Sequence, residues 1–219
     1  MLVSKMTDSV EPQDRSVAVG TPRETAAGQG KVQGRGQGKR QRLIDAACQA
    51  FYVRGVERTT LADIAAAAGI PLGNVYYYFK TKDDLIRAVI EAHLSEARTM
   101  LAGVEAAHDG PRDRLKALFA SLTEQAELIA RHGCPHGSLC TELDKLPDGP
   151  GLAAELMRVP VDWAERQFSA LGRADARDLA VEVMARYQGT ALLASTLRDP
   201  GLMARESVRV AAWLDTISA

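Results

Sequence analysis

The sequence predicts an all-α protein of about nine helices. Apolar residues recur at helical spacing along most of the chain after residue 38, and no segment makes a convincing strand. Capping signals recur as well, and Gly- and Pro-rich turns (HDGPR, PDGPG, RDPG) separate the periodic stretches. With 219 residues, 46% hydrophobic and 25% charged, the chain is long enough for one or two domains with a real core.

Residues 1 to 38 are rich in Gly, Gln, Ser, Thr and charge and lack apolar periodicity, so they are expected to be a disordered arm. Helix one is predicted from Gly38 to Arg54, burying Leu43, Ile44, Ala47, Ala50 and Phe51, with Cys48 packed near that face and Gly55 after its end. Thr60 followed by Asp63 is a capping box that opens helix two at Leu61, with Leu61, Ile64, Ala65 and Ala68 as its apolar stripe. Gly69 ends that helix, and Pro71 suits the first turn of helix three, expected from Leu72 to Tyr78. Thr81 with Asp84 repeats the capping box and opens a long fourth helix reaching about Ala107.

Pro111 then begins a helix in which Leu115, Leu118, Phe119, Leu122, Ala126 and Ile129 recur to near His132. A loop, HGCPHGSL, and a short helix around Leu139 to Leu146 follow. The next helix, Leu152 to Leu171, contains Pro160, which is expected to kink or interrupt it. The last two, Asp175 to Leu197 and Pro200 to Ile217, are rich in small residues (Ala180, Ala185, Gly189, Ala191, Ala194 and Ser195 in one, Ala204, Ala211 and Ala212 in the other) that allow close helix approach.

Two short helices turned about a glycine can hold one of them in the major groove of DNA. Asn74, Tyr76, Tyr77, Lys80 and Lys82 lie in or just beyond helix three, where a purely structural two-turn helix would carry more aliphatic side chains. Charge is distributed to match. Lys31 to Leu85 holds nine basic and five acidic residues, whereas Ile86 to the end holds 15 basic and 19 acidic, within a net charge of -1. Lys31, Arg35, Lys39, Arg40 and Arg42 at the end of the arm either follow DNA phosphate or the minor groove, or form an idle solvated tail.

From Arg40 to Ile90 the chain resembles the DNA-binding domain of the TetR/AcrR family of bacterial transcriptional repressors. Phe51 with Gly55, Thr59 with Thr60, Ile64 and Ala65, Ala68 and Gly69, Gly73, Tyr76, Phe79, Lys82 and Leu85 occur in the family's order and spacing. The resemblance implies a helix-turn-helix domain at 39 to 85 and a ligand-binding and dimerisation domain at 86 to 219. It implies that Thr59 and Thr60 bond phosphate, that Gly73 and Asn74 face the groove, that Tyr76 and Tyr77 meet backbone or base edges, and that Lys82 contacts phosphate. The chain departs from the family at Pro71 and Leu72, which replace a serine and a polar residue. Leu72 either touches a thymine methyl or packs inside the protein.

The resemblance further implies that the last two helices form a four-helix interface in a homodimer, which would bind a palindromic operator. The carboxy-terminal helices would enclose a small-molecule inducer; His93, Met100, Phe119, Trp163, Phe168 and Tyr187 are the candidate lining. No cofactor or metal is expected: Cys134, His136 and Cys140 lack the paired spacing and second cluster of a zinc site. A thiol switch through Cys134 and Cys140 is the alternative sensor, against a structural turn as the favoured reading. Three cysteines and the lack of a run of about 18 apolar residues fit a cytoplasmic protein without a membrane partner. No paired carboxylates, nucleophile elbow or phosphate loop point to an enzyme.

Overall fold

The computed structural model describes residues 30–144 and 149–217, and every regular element in them is a helix. There are ten: α1 (Gly30–Arg54), α2 (Leu61–Ala67), α3 (Leu72–Tyr78), α4 (Lys82–Ala107), α5 (Pro111–Thr123), α6 (Ala126–His132), α7 (Pro135–Leu143), α8 (Gly149–Ala170), α9 (Ala176–Leu197) and α10 (Gly201–Thr216). None is long and apolar enough to cross a membrane.

Both expected capping boxes are formed. The Thr60 hydroxyl accepts from the Asp63 amide at 3.1 Å while the Asp63 carboxylate accepts from the Thr60 amide at 2.9 Å, and Thr81 and Asp84 repeat the exchange at 3.1 and 3.0 Å. Gly69 turns the chain between α2 and α3 with φ of 63°, letting the Ile70 amide reach back to the Ala65 carbonyl. α3 spans Leu72–Tyr78 as expected, with Pro71 as its cap residue.

Two apolar cores result. The first gathers Leu43, Phe51, Ile64, Val75, Phe79 and Leu85 from α1 to α4 and takes in Leu139 and Leu143 of α7 and Leu156 of α8. The second gathers Leu101, Leu118, Phe119, Trp163, Phe168, Tyr187 and Leu214. At 26 residues α4 is roughly 39 Å long at 1.5 Å per residue, enough to serve both. The expected division at 85 and 86 therefore falls within a helix that belongs to both units.

Several elements differ from expectation. α1 begins at Gly30, eight residues early, so the expected arm loses its last residues to helix; the remainder of that arm, residues 1–29, lies outside the described residues. The helix expected from Pro111 to His132 is two helices, broken at Gln125 with φ of -102° and ψ of 38°. HGCPHGSL is not an open loop, because Pro135 opens α7 and the Cys134 sulfur caps it by accepting from the Gly137 amide at 3.4 Å. α8 runs uninterrupted through Pro160.

Candidate nucleic-acid interface and ligand cavity

α3 is anchored by Val75 and Phe79, with Tyr78 partly buried against the same core. Val75 is fully buried and Phe79, just past the helix end, is 2% exposed, each worth roughly 1.5–3 kcal/mol of apolar transfer. Across the helix, Gly73 and Asn74 are exposed, as are Leu72 at 41%, Tyr76 at 47% and Tyr77 at 79%. Three aromatic or large apolar residues left in solvent on one short helix call for a partner surface. Leu72 is thus exposed rather than packed inside the protein.

Around this helix sit cations and a cap. The Lys80 ammonium donates to the Tyr76 carbonyl at 2.8 Å, half-buried Lys82 donates to the Glu57 carbonyl at 3.3 Å, and the Arg40 guanidinium lies 5.2 Å from the Phe79 ring centre. Thr60 is exposed, but its hydroxyl also donates to Asp63 at 2.6 Å. Thr59 corrects the expectation of a phosphate contact through its side chain. It is fully buried, and its hydroxyl donates to the Gly55 carbonyl at 2.7 Å, closing the turn that follows α1.

The second candidate site is a cavity with ≈ 160 Å³ of interior space for water-sized molecules, between α4, α5, α6, α7, α8 and α9. Of the six expected lining residues it has His93, Met100 and Tyr187. The other three are corrections. Phe119 lies in the core with its ring edge-on to Tyr187 at 6.2 Å, and Phe168 packs against Trp213 at the same separation. Trp163 donates its indole N–H to the Glu105 carboxylate at 2.7 Å. Along α8 the cavity takes Met157 and Pro160; Trp163 is rotated about 60° from Pro160, and Phe168 stands roughly 12 Å further along the axis.

The wall also holds His136, whose ring meets His93 edge-on at 5.2 Å. Burial, then the neighbouring His93, pushes the His136 imidazole down to about 4, and burial lowers His93 too, so both rings are neutral near pH 7. Gln188 donates to the Cys134 sulfur at 3.6 Å. Burial, and then Cys134, holds the Tyr187 phenol well above its usual range.

The cysteine alternative is not favoured. Burial first, then Cys134 and Asp144, pushes the Cys140 thiol up to about 11, and it donates to the Ala153 carbonyl at 3.4 Å. Six positions from Cys134 to Cys140 amount to roughly 9 Å of helical rise, beyond disulfide reach. Among the described residues no group of three or more His, Cys, Asp or Glu could hold a metal ion.

Residues 43–89 match the family model for bacterial regulatory proteins of the tetR family. The regulator TtgR of Pseudomonas putida is 38% identical over 97 residues, covering 43% of this chain and 46% of that protein. The transcriptional repressor DhaR of a Mycobacterium species is 29% identical over 164 residues, covering 70% and 80%. The chain carries the amino-terminal domain of the TetR family. Its fold follows solved TetR-family regulators well past the amino-terminal domain: one from Agrobacterium tumefaciens superposes with a TM-score of 0.73 at 22% identity, over 84% of this chain and all of that one. Another, from Rhodobacter sphaeroides, gives 0.68 at 25% identity, over 78% and 95%. The alignment with TtgR, by contrast, spans about half the length of that relative.

The family match ends at residue 89, before the first residue that lines the cavity. Gln125, His136, Met157, Met184 and Gln188 line that cavity and were not among the expected residues. One signal for them existed in the sequence. Pro160, an unexplained proline inside an amphipathic helix, is itself part of the wall.

Proposed function

We propose that the protein is a dimeric operator-binding transcriptional regulator, acting as a repressor that releases DNA when a small molecule enters the carboxy-terminal cavity. The observation that carries the reading is α3, held from behind by Val75 and Phe79 while Leu72, Asn74, Tyr76 and Tyr77 face solvent. In this reading Gly73 lets the helix backbone approach the groove; a side chain added there would meet nothing in the protein. Thr60 and Lys82 hold the flanking phosphates, Asn74 and Tyr76 read base edges, and Leu72 offers a methyl contact to thymine.

A two-fold dimer places two such helices roughly 34–36 Å apart, which makes the operator a palindrome. Support for the dimer comes from α9 and α10, whose outer faces leave Val181, Leu192, Leu193, Leu197 and Val208 between 49% and 71% exposed. For induction, α4 runs from beside the recognition helix to the cavity wall at His93 and Met100. A ligand preferring the released state by about 10⁴-fold suffices to empty the operator.

Selection from random duplex oligonucleotides tests this. The expected product is a palindrome with half-sites about one helical turn apart, whose affinity falls steeply with salt. Recovery of no preferred sequence would remove the proposal.

A further inference from the structure

The cavity's chemistry narrows its occupant, on the reading that this cavity is the inducer site. Among the described residues no lysine or arginine lines it. Its charged member is Glu96, on the same helix as His93. The imidazoles of His93 and His136 stand against each other, and a neutral imidazole offers one lone-pair acceptor. Gln125 and Gln188 add amide carbonyls, and the body of the cavity is Met100, Leu122, Ile129, Met157, Pro160 and Met184.

An anionic ligand would leave water, meet the Glu96 carboxylate and find no counter-ion in the wall. A positively charged head meets the opposite situation: a carboxylate, imidazole acceptors and polarisable thioethers, with the Tyr187 ring nearby. We infer that the cavity takes a small, mainly apolar organic monocation, with its ammonium head beside Glu96 and the His93–His136 pair and its body among Met100, Met157 and Met184. Three methionines suit an apolar body of variable shape, since an unbranched side chain repacks at low cost.

Three probes of one shape separate the possibilities: 4-phenylbutylamine, 4-phenylbutanol and 4-phenylbutyrate, titrated calorimetrically into the full-length protein. The amine is expected to bind at least tenfold more tightly than the alcohol, with the butyrate weakest. Glu96→Gln should erase the amine's advantage while leaving the alcohol unchanged, and Gln125→Lys should reverse the order in favour of the butyrate. The inference is overturned if the butyrate binds as well as the amine, if none of the three binds, or if Glu96→Gln leaves the amine's advantage intact. Should Glu96→Gln not fold, Gln125→Lys decides by the same comparison. Operator release is measured separately. An amine that binds without releasing operator DNA sinks the inducible reading and leaves the ligand class standing, whereas release by the butyrate alone does the reverse.

Discussion

Thr59 and Thr60 are adjacent and chemically identical, yet one hydroxyl is spent inside the protein on the Gly55 carbonyl and the other caps α2 in solvent. The cap was legible in the sequence because it depends on Asp63, three residues away. The inward turn of Thr59 was not, because it depends on the left-handed Gly55 and on how α1 ends. His136 shows the same limit and leads to a measurable effect. The folded ring takes a proton only near pH about 4, whereas the unfolded ring does so near its ordinary 6.5. Between those values the unfolded chain binds more protons, so stability falls as pH falls, and above the upper value this contribution is constant. The shift would be worth roughly 3 kcal/mol for a fully enclosed ring, and about 1–2 kcal/mol for this half-buried one after solvent screening. Urea unfolding from pH 7.5 to 4.5 should show that loss, and His136→Gln should flatten it in part. The residue of the slope belongs to His93, lowered by the same burial, with Glu96 opposing both. An unchanged slope in the variant would refute the assignment.

At the level of elements, α6 is seven residues long and too short to persist alone, so its neighbours must hold it. Its carboxyl end is bound from three directions. The Tyr52 hydroxyl of α1 donates to the Gly133 carbonyl at 2.7 Å, Arg198 beyond α9 donates to the Ala130 and Arg131 carbonyls at 3.1 and 2.6 Å, and Ser138 of α7 donates to the His132 carbonyl at 3.2 Å. Sequence periodicity joined α6 to α5 because the apolar spacing persists through Leu122, Ala126 and Ile129 and no glycine or proline marks the break. The break rests on contacts from distant helices, which local sequence does not encode. Tyr52→Phe keeps the ring packed edge-on to His132 at 5.4 Å but removes the hydroxyl, leaving the Gly133 carbonyl short of a donor. The expected cost is about 1–2 kcal/mol in urea unfolding. Arg198→Ala, which strips two carbonyls, should cost at least as much. Since α6 contributes Ile129 to the cavity, both variants should also weaken ligand binding; full stability in either would show that α6 is held by its apolar face alone.

For the whole molecule, the short helices α2 and α3 and the start of α4 were legible in the sequence because their turns are set by local caps. The carboxy-terminal half was legible as helices but not as a cavity, since six of those helices converge on it and three of the six aromatic or amphipathic residues singled out for it belong there. The outer faces of α9 and α10 fall between these cases. Val181, Ala185, Gly189 and Leu192 recur every three to four residues along α9, and Ala204, Val208 and Ala212 along α10, so each helix shows solvent one stripe of small and large apolar side chains. Exposed leucines at 66%, 54% and 64% are costly to keep hydrated, and in the proposed dimer the small residues of the two stripes would let a symmetry-related pair approach closely. Placing a carboxylate in the middle of each stripe, in the double variant Leu192→Glu with Val208→Glu, should leave the monomer fold intact because both positions face solvent. Sedimentation should then show a dimer for the parent and a monomer for the variant at micromolar concentration. A monomer offers one recognition helix to one half-site, so operator affinity should drop on the order of 10³-fold, towards the level of non-specific binding. Circular dichroism of the variant must match the parent for that drop to be assigned to assembly. A variant that remains dimeric, or a monomer that binds the palindrome as tightly as the parent, would place the interface elsewhere or make it unnecessary for DNA recognition.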